Sequence, residues 1–324
     1  MAAMGTPFSY PSPLAATAAT IVLPALALAA CSSDGERSST ADQASSSAAS
    51  ASAASGTGAA TADADGADGA ADADGAADGK VERLTATVLK TLPFDATSFT
   101  QGLEVTPAGQ LLVGTGQFRQ SRVYLADPST GKQTTSVDLP AEFFGEGLTQ
   151  AGDSIWELTW KAGQAIKRDA VTLEETGRVP YEGEGWGLCA LESGSGGELI
   201  MSDGSAQLRH LDPVTFDETG ERTTVTLNGQ PVTEINELEC VNDASTDHHP
   251  TVYANVWFTT DILRIDPATG EVTGIIDASA AQNNADADEN NVLNGIAHIP
   301  GTDEFYITGK RWPDLYRVTF DPAQ

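Results

Sequence analysis

The chain has 324 residues, and its 46 acidic and 17 basic side chains give a formal net charge of −29 at pH 7. This charge argues against a nucleic acid as the partner, because phosphate binding requires a basic surface. All 5 tryptophans lie after residue 80, whereas residues 32–79 consist almost wholly of Ala, Ser, Gly, Asp and Thr. The folded part is therefore predicted to be one β-rich domain over residues 80–324.

An apolar, alanine-rich run at residues 13–30 ends at Cys31. Its length and small residues are typical of a signal peptide, and Pro24 weakens a membrane-spanning helix. Residues 28–31, Leu-Ala-Ala-Cys, resemble a bacterial lipoprotein box, which implies cleavage before Cys31 and lipid attachment to its thiol. We therefore expect a lipoprotein-type signal peptide over residues 1–30 and an exported cell-envelope lipoprotein, membrane-anchored through Cys31. A cleaved secretory signal and an apolar stretch without function remain alternatives, because no Lys or Arg precedes the run.

The low-complexity segment at residues 31–79 contains too few apolar side chains to bury a core. We therefore predict a disordered tether rich in Ala, Ser, Asp and Gly. Its Asp-Ala-Asp-Gly repeats suggest calcium, but they lack the ligand spacing of a calcium loop. A solvated spacer is the favoured interpretation.

The rest of the chain contains short predicted strands in repeating units. Residues 81–92 alternate in polarity and predict one strand that precedes the first unit. Related stretches then recur at positions that are 45, 40, 50 and 58 residues apart, namely Gln101, Glu146, Trp186, Asn236 and Asn294. In each unit, a first strand is followed by a turn, an apolar strand and two further strands. Four short strands per unit of this size are typical of a β-propeller blade.

Five such units predict an all-β fold, a five-bladed β-propeller over residues 80–324. The last unit ends one strand short after residues 315–320, so we expect the strand at 81–92 to close the ring and remove an exposed sheet edge. An open β-sandwich is the alternative, which the repeat spacing disfavours. Cys189 and Cys240 fall on the first strands of neighbouring units, where either a disulfide or two small buried side chains is compatible with the pattern.

Glu146 is the one acid among the five repeat-start residues. The first strand of each propeller blade lines the central channel, so these residues are expected to converge. A carboxyl group at a channel mouth walled by aromatic rings has a pKa raised by desolvation, which suits proton transfer near neutral pH. A solvated channel acid without a catalytic role is the alternative.

No metal or cofactor is predicted from the remaining polar residues. His248 and His249 are adjacent and cannot form a zinc triad by themselves. Asp286, Asp288 and Glu289 fall in an Asn-rich insertion, where a polar loop is a better interpretation than a cation site.

Eight stretches, in order, resemble those of the plant-type glutaminyl-peptide cyclotransferases, a family that also has bacterial members. The stretches include Phe-Thr-Gln-Gly-Leu at 99–103 and Gly-Glu-Gly-Leu-Thr at 145–149. The others lie at 158–160, 184–188, 235–239, 254–257, 293–297 and 308–312. The resemblance implies a five-bladed propeller that converts the N-terminal glutamine of a peptide or protein to pyroglutamate and releases ammonia.

The resemblance also assigns roles to individual residues. It implies that Glu146 is the general acid and base, and that Lys310 stabilises the oxyanion or orients Glu146. The implied substrate-binding residues are Phe99, Gln101, Trp160, Trp186, Asn236 and Trp257. The glycines on either side of Glu146 are expected to let the substrate approach closely, and Glu184 is the first alternative to Glu146.

A monomer acting on a peptide substrate is the expectation, and two other functions remain open. One is a non-catalytic propeller that binds peptides or scaffolds envelope proteins, since fold alone does not fix function. The other is a metal-dependent propeller hydrolase or lactonase, which calcium dependence would favour.

Overall fold

The computed structural model describes residues 81–191, 197–242 and 250–324, and every regular element in these ranges is a β-strand. The predicted all-β fold is therefore confirmed. None of the described residues belongs to a helix that is long and apolar enough to cross a membrane. The predicted signal peptide, Cys31, the predicted tether and the pair His248 and His249 lie outside these ranges.

The predicted strand at 81–92 is confirmed as β1 (Glu82–Pro93). Three four-stranded antiparallel sheets follow, each with its strands in chain order. The first contains Thr100–Val105 (β2), Leu111–Thr115 (β3), Arg122–Ala126 (β4) and Gln133–Asp138 (β5). The second contains Gly145–Ala151 (β6), Ser154–Thr159 (β7), Gln164–Asp169 (β8) and Glu175–Pro180 (β9). The third contains Leu188–Leu191 (β10), Glu198–Met201 (β11), Gln207–Leu211 (β12) and Glu218–Thr224 (β13).

A short hairpin and one larger sheet complete the domain. The hairpin pairs Thr226–Leu227 (β14) with Gln230–Pro231 (β15). The larger sheet has 8 strands in the order β16-β17-β18-β19-β1-β22-β21-β20. Its remaining strands are Ile235–Val241 (β16), Thr251–Val256 (β17), Asp261–Ile265 (β18), Val272–Asp277 (β19), Leu293–His298 (β20), Glu304–Gly309 (β21) and Asp314–Pro322 (β22).

β1 joins the two halves of this sheet. It runs parallel to β19, with Glu82 opposite Gly274, and antiparallel to β22, with Thr87 opposite Thr319. Both long edges of β1 therefore have hydrogen-bonded neighbours, which removes two free sheet edges.

The first strands of the sheets pack against one another in a closed series. β2 contacts β6, β6 contacts β10, β10 contacts β16, β16 contacts β20, and β20 returns to β2. β16 is buried along its whole length, whereas the outer strand β5 alternates between half-buried and exposed side chains. Apolar side chains fill the space between neighbouring sheets, as where Ile200 and Leu238 belong to one buried cluster.

The repeated glycines allow this close packing of first strands. A Cβ on Gly147 would lie 2.7 Å from the backbone nitrogen of Leu188, and one on Gly187 would lie 2.1 Å from the carbonyl oxygen of Asn236. A Cβ on Gly145 would lie 2.6 Å from the carbonyl oxygen of Thr115. Strand packing therefore accounts for the glycines beside Glu146, and the expectation that they also let the substrate approach closely stays a prediction.

Cys189 on β10 and Cys240 on β16 form a disulfide, with their Cα atoms 5.4 Å apart. The bond joins two neighbouring first strands across a separation of 51 residues. By the chain-entropy relation, a loop of this length corresponds to about 4 kcal/mol of stabilisation.

Candidate active site

A cavity of about 440 Å³ brings the sequence-predicted site residues together. The eight site residues that were predicted within the β-rich domain all line this cavity. They are Phe99, Gln101, Glu146, Trp160, Trp186, Asn236, Trp257 and Lys310. The cavity also has five lining residues that the sequence did not predict: Gln117, Phe144, Asp288, Asn290 and Arg311. Asn294, the last repeat-start residue, is buried behind this surface.

Interruptions in the β-ladders set the orientation of the polar side chains at the site. The pairing between first and second strands shifts register between Gly145 and Leu148, which is where Glu146 lies. Equivalent shifts occur between Thr100 and Gly102, between Ile235 and Leu238, and between Leu293 and Ile296. These intervals contain Gln101, Asn236 and Asn294. An irregularity of this kind bends the strand and re-aims a side chain, and it is common beside active sites.

Backbone hydrogen bonds hold the tryptophans just outside their strands. Trp160 follows β7 and its backbone nitrogen donates to the Phe144 carbonyl at 3.0 Å. Trp257 follows β17, and its backbone nitrogen donates to the Glu234 carbonyl at 2.9 Å. Trp186 precedes β10, and its ring centroid lies 5.3 Å from that of Trp257. The three indoles therefore form a wall that is fixed by neighbouring loops.

Glu146 is a buried carboxyl group, with only 4% of the residue exposed. Burial raises the pKa of Glu146 well above its usual range, although the cation of Lys310 opposes this shift and the carboxylate of Glu184 adds to it. A carboxyl group in this setting exchanges a proton near neutral pH more readily than an exposed glutamate does.

Lys310 is the buried cation of the cavity. Burial lowers the pKa of Lys310 to about 8, against the opposing effect of the Glu146 carboxylate. Its Nζ atom lies 5.1 Å from the ring centroid of Phe99 and 5.9 Å from that of Trp257. Aromatic faces attract a cation at such distances, so the rings help to hold the ammonium group inside.

Glu184 links two of the indoles through one carboxylate oxygen. The Nε1 atom of Trp160 donates to Oε2 of Glu184 at 2.7 Å, and the Nε1 atom of Trp186 donates to the same oxygen at 3.1 Å. The other oxygen lies 3.2 Å from Nζ of Lys161. Partial burial raises the pKa of Glu184, but hydrogen bonds from Trp186, Lys161 and Trp160 outweigh it and lower that pKa. Glu184 therefore serves as an anionic acceptor that positions the indoles.

The side-chain amide of Gln101 is oriented by a hydrogen bond from the buried residue Asn294. Nδ2 of Asn294 donates to Oε1 of Gln101 at 3.1 Å and to the Thr100 carbonyl at 3.0 Å. Because the oxygen of Gln101 is held in this way, its amino group is the part that can donate into the cavity. Gln101 can thus present hydrogen-bond donors to the cavity.

The unpredicted lining residues come from segments without a repeat signature. Arg311 follows Lys310, donates from NH1 to Oδ1 of Asn291 at 3.1 Å, and pairs with Asp288 at 3.5 Å. Asp288 also accepts from the backbone nitrogen of Asn290 at 2.9 Å. The Asn-rich insertion therefore forms part of the cavity wall. The nearest sequence signals were that Arg311 falls within the family-like stretch at 308–312 and that Phe144 lies two residues before Glu146.

The cavity thus combines a buried carboxyl group, a buried ammonium group and aromatic rings in an all-β domain. Comparisons with known proteins assign this domain to a family. A family model described as "Glutamine cyclotransferase" matches residues 59–320. A glutaminyl-peptide cyclotransferase of Arabidopsis thaliana is 32% identical over 240 residues, which are 73% of this chain and 71% of the relative. The crystal structure of Myxococcus xanthus glutaminyl cyclase is 35% identical, with a TM-score of 0.67, over 76% of this chain and 100% of the other. The chain belongs to the glutamine cyclotransferase family.

Proposed function

We propose that this protein is a glutaminyl-peptide cyclotransferase, which converts the N-terminal glutamine of a peptide or protein to pyroglutamate and releases ammonia. The observation that carries the proposal is the buried carboxyl group of Glu146, which shares an aromatic-walled cavity with Lys310. Membership of the glutamine cyclotransferase family supports the same reaction.

In the proposed reaction, Glu146 transfers a single proton. The neutral α-amine of the substrate attacks the carbonyl carbon of its own side chain, and a new carbon–nitrogen bond closes the ring. The free α-amine has a pKa of about 7.7–8.0, so only a small loss of solvation is needed to keep it neutral. Glu146 takes the proton from the attacking nitrogen and returns it to the amide nitrogen, which leaves as ammonia.

Lys310 and Gln101 are the groups that we assign to the developing negative charge. As the amine attacks, the side-chain carbonyl oxygen becomes an oxyanion, which a preorganised donor in a dry cavity stabilises strongly. The Lys310 ammonium group is buried, and the amino group of Gln101 is free to donate because Asn294 holds the oxygen. The charge of Lys310 also favours the ionised form of Glu146 between turnovers.

The aromatic wall is assigned to binding and to the exclusion of water. Four aromatic rings surround the polar groups of the cavity: Phe99, Trp160, Trp186 and Trp257. These rings offer apolar surface to the methylene groups of glutamine. Asn236 is 3% exposed and supplies an amide for the polar ends of the substrate.

We further propose that the fold is a five-bladed β-propeller closed by the N-terminal strand. The support is the closed series of contacts among β2, β6, β10, β16 and β20, together with the position of β1 between β19 and β22. Residues 80–324 are the proposed catalytic domain.

Export and membrane anchoring remain proposals that rest on the sequence. We propose that residues 1–30 direct export, that Cys31 carries lipid and that residues 31–79 tether a monomeric domain. The disulfide between Cys189 and Cys240 supports an oxidising compartment outside the cytosol. Mass spectrometry of Cys31 in the membrane fraction tests the anchor, and an unmodified thiol there would overturn it.

The direct test of the reaction is turnover by the full-length protein. A glutamine-initiated peptide should release ammonia and lose the mass of one ammonia molecule, whereas the same peptide with a blocked α-amine should not react. Absence of turnover between about pH 5 and about pH 9 would overturn the proposed activity. Binding without turnover would favour a non-catalytic peptide-binding protein, and activity abolished by EDTA would favour a metal-dependent enzyme.

A further inference from the structure

Two exposed phenylalanines adjoin the cavity and are not explained by the core. Among the described residues, the large apolar side chains that are exposed are Leu89, Phe118, Val171, Val214 and Phe258. Phe118 is 54% exposed and Phe258 is 57% exposed. Single exposed aliphatic residues are ordinary on protein surfaces, so Leu89, Val171 and Val214 need no explanation. The two exposed aromatic rings lie next to a cavity and are therefore candidate contacts for a ligand.

Each of these rings packs on an aromatic residue that lines the cavity. The ring centroid of Phe118 lies 5.5 Å from that of Phe144, and Phe144 lies 5.6 Å from Trp160. Phe258 stacks on Trp257 at 4.2 Å with an interplanar angle of 23°. Both phenylalanines therefore extend the aromatic wall outward from the cavity to the protein surface.

The backbone holds both segments in conformations that non-glycine residues rarely adopt. Phe258 has a φ of 63°, and the neighbours of Phe118, Gln117 and Arg119, have φ values of 96° and 67°. Such conformations cost free energy and concentrate at functional sites. These backbone conformations are an observation separate from the packing of the rings, and they occur at or next to the two exposed phenylalanines.

We infer that the exposed rings of Phe118 and Phe258 provide a subsite, on one ring or on both, for an apolar side chain in the residues that follow the N-terminal glutamine of the substrate. The inference rests on the proposed function, in which only the first residue reacts and the rest of the peptide leaves the cavity through its mouth. An apolar side chain that covers either ring removes apolar surface from water on both partners. Aromatic anchors at the edge of a pocket are typical contributors to peptide binding.

The test compares three peptides that differ only after the glutamine: Gln-Phe-Ala, Gln-Leu-Ala and Gln-Gly-Ala, each amidated at its C-terminus. With the full-length protein, we expect kcat/KM to be about 5- to 10-fold higher for the Phe and Leu peptides than for the Gly peptide. In the double variant Phe118→Ala/Phe258→Ala, this ratio should fall to about twofold or less. The single variants then assign the contact to one ring or to both.

The ratio makes the experiment independent of the folded fraction, because all rates come from one preparation. Val171→Ala and Val214→Ala are matched controls, since both positions are exposed and apolar but do not line the cavity. These controls should keep the peptide preference of the unaltered protein. A preference that survives in the double variant would overturn the subsite.

Equilibrium binding of the same peptides separates this subsite from the proposed chemistry. Turnover without any preference for Phe or Leu overturns the subsite and leaves the proposed function intact. Preferential binding of the Phe and Leu peptides without turnover, lost in the double variant, supports the subsite and overturns the proposed function. If the peptides neither bind nor react, both are overturned.

Discussion

At the scale of single residues, two carboxyl groups at the candidate site have opposite environments. Glu146 is buried and its pKa is raised, whereas Glu184 is partly exposed and its pKa is lowered by hydrogen bonds. A proton shuttle needs a group that can change its protonation state near neutral pH, and an anchor for indole N–H groups needs one that stays ionised. The environment therefore favours Glu146 over Glu184 as the acid and base.

Replacing Glu146 by Gln should test that assignment. The amide keeps the shape of the side chain but cannot accept and return the proton, so we expect kcat to fall by at least about 100-fold. Peptide binding, measured by calorimetry, should remain within a few-fold of the unaltered protein. A near-normal kcat for Glu146→Gln would contradict the assignment and move the role to Glu184.

The pair of Glu146 and Lys310 predicts a bell-shaped pH dependence of kcat. Glu146 acts as a base when ionised, so kcat should rise as pH increases through its raised pKa. Lys310 is cationic below its pKa of about 8, so kcat should fall as pH increases through that value. In Lys310→Arg the cation persists to far higher pH, and the alkaline decline should move upward even if the maximal rate is lower.

The control for this profile is Lys90→Arg, because Lys90 is exposed on β1 and does not line the cavity. Its pH profile should match that of the unaltered protein. An alkaline decline near pH 8 that is the same in Lys310→Arg would show that a group other than Lys310 controls this limb.

At the scale of strands and loops, Glu184 connects elements that are separate in the sheet topology. It lies between β9 and β10, and it holds Trp160, which follows β7, together with Trp186, which precedes β10. Charge-assisted hydrogen bonds of this kind are stronger than neutral ones. The orientation of two of the three indoles in the aromatic wall therefore depends on one side chain.

Replacing Glu184 by Ala should make the indole rings of Trp160 and Trp186 less rigidly positioned. Loss of the shared acceptor leaves two indole N–H groups without their partner, and we expect KM to rise by about 10-fold with a shift in tryptophan emission. Glu184→Gln keeps an acceptor oxygen but removes the negative charge, so the acidic limb of kcat should move to lower pH. Glu182→Ala is an exposed neighbouring control. An unchanged KM and emission spectrum in Glu184→Ala would contradict the role.

The same scale explains what could be predicted from the sequence. Gln101, Glu146, Trp186 and Asn236 recur at the start of strand units, so their convergence followed from the repeat. Phe144 and Arg311 lie on connecting segments whose paths depend on tertiary packing, and no period marks them. The parallel pairing of β1 with β19 was likewise unpredicted, because it depends on how neighbouring units meet and not on the local pattern.

At the scale of the whole molecule, the inner strands carry further carboxyl groups besides Glu146, of which Glu237 is buried and Glu104 is half-buried. Glu237 accepts hydrogen bonds from the backbone nitrogens of Leu103 and Ile296, at 3.2 Å and 2.9 Å, and so connects separate first strands. Glu104 accepts from the hydroxyl of Thr149 at 2.6 Å. Burial raises the pKa of Glu237 well above its usual range and that of Glu104 to about 7. The protonation of these carboxyl groups therefore makes the stability of the folded protein depend on pH.

The free energy of unfolding should therefore decrease between mildly acidic and mildly alkaline pH. A carboxyl group whose folded pKa is raised contributes stability that is complete below its unfolded pKa and is lost as pH rises through its folded pKa. For Glu104, with a folded pKa of about 7, the loss between about pH 5 and about pH 8 amounts to about 2 to 3 kcal/mol. Other buried glutamates whose pKa values are raised in the same direction increase the loss.

Glu104→Gln isolates this contribution, because an amide can still accept from the backbone nitrogen of Gln150 and donate to Thr149. Urea unfolding at about pH 5 and about pH 8 should show a difference in unfolding free energy that is about 2 to 3 kcal/mol smaller in the variant than in the unaltered protein. Glu174→Gln, at an exposed position, should keep the original difference. An unchanged pH dependence in Glu104→Gln would mean that Glu104 is ionised in the folded protein over this whole range.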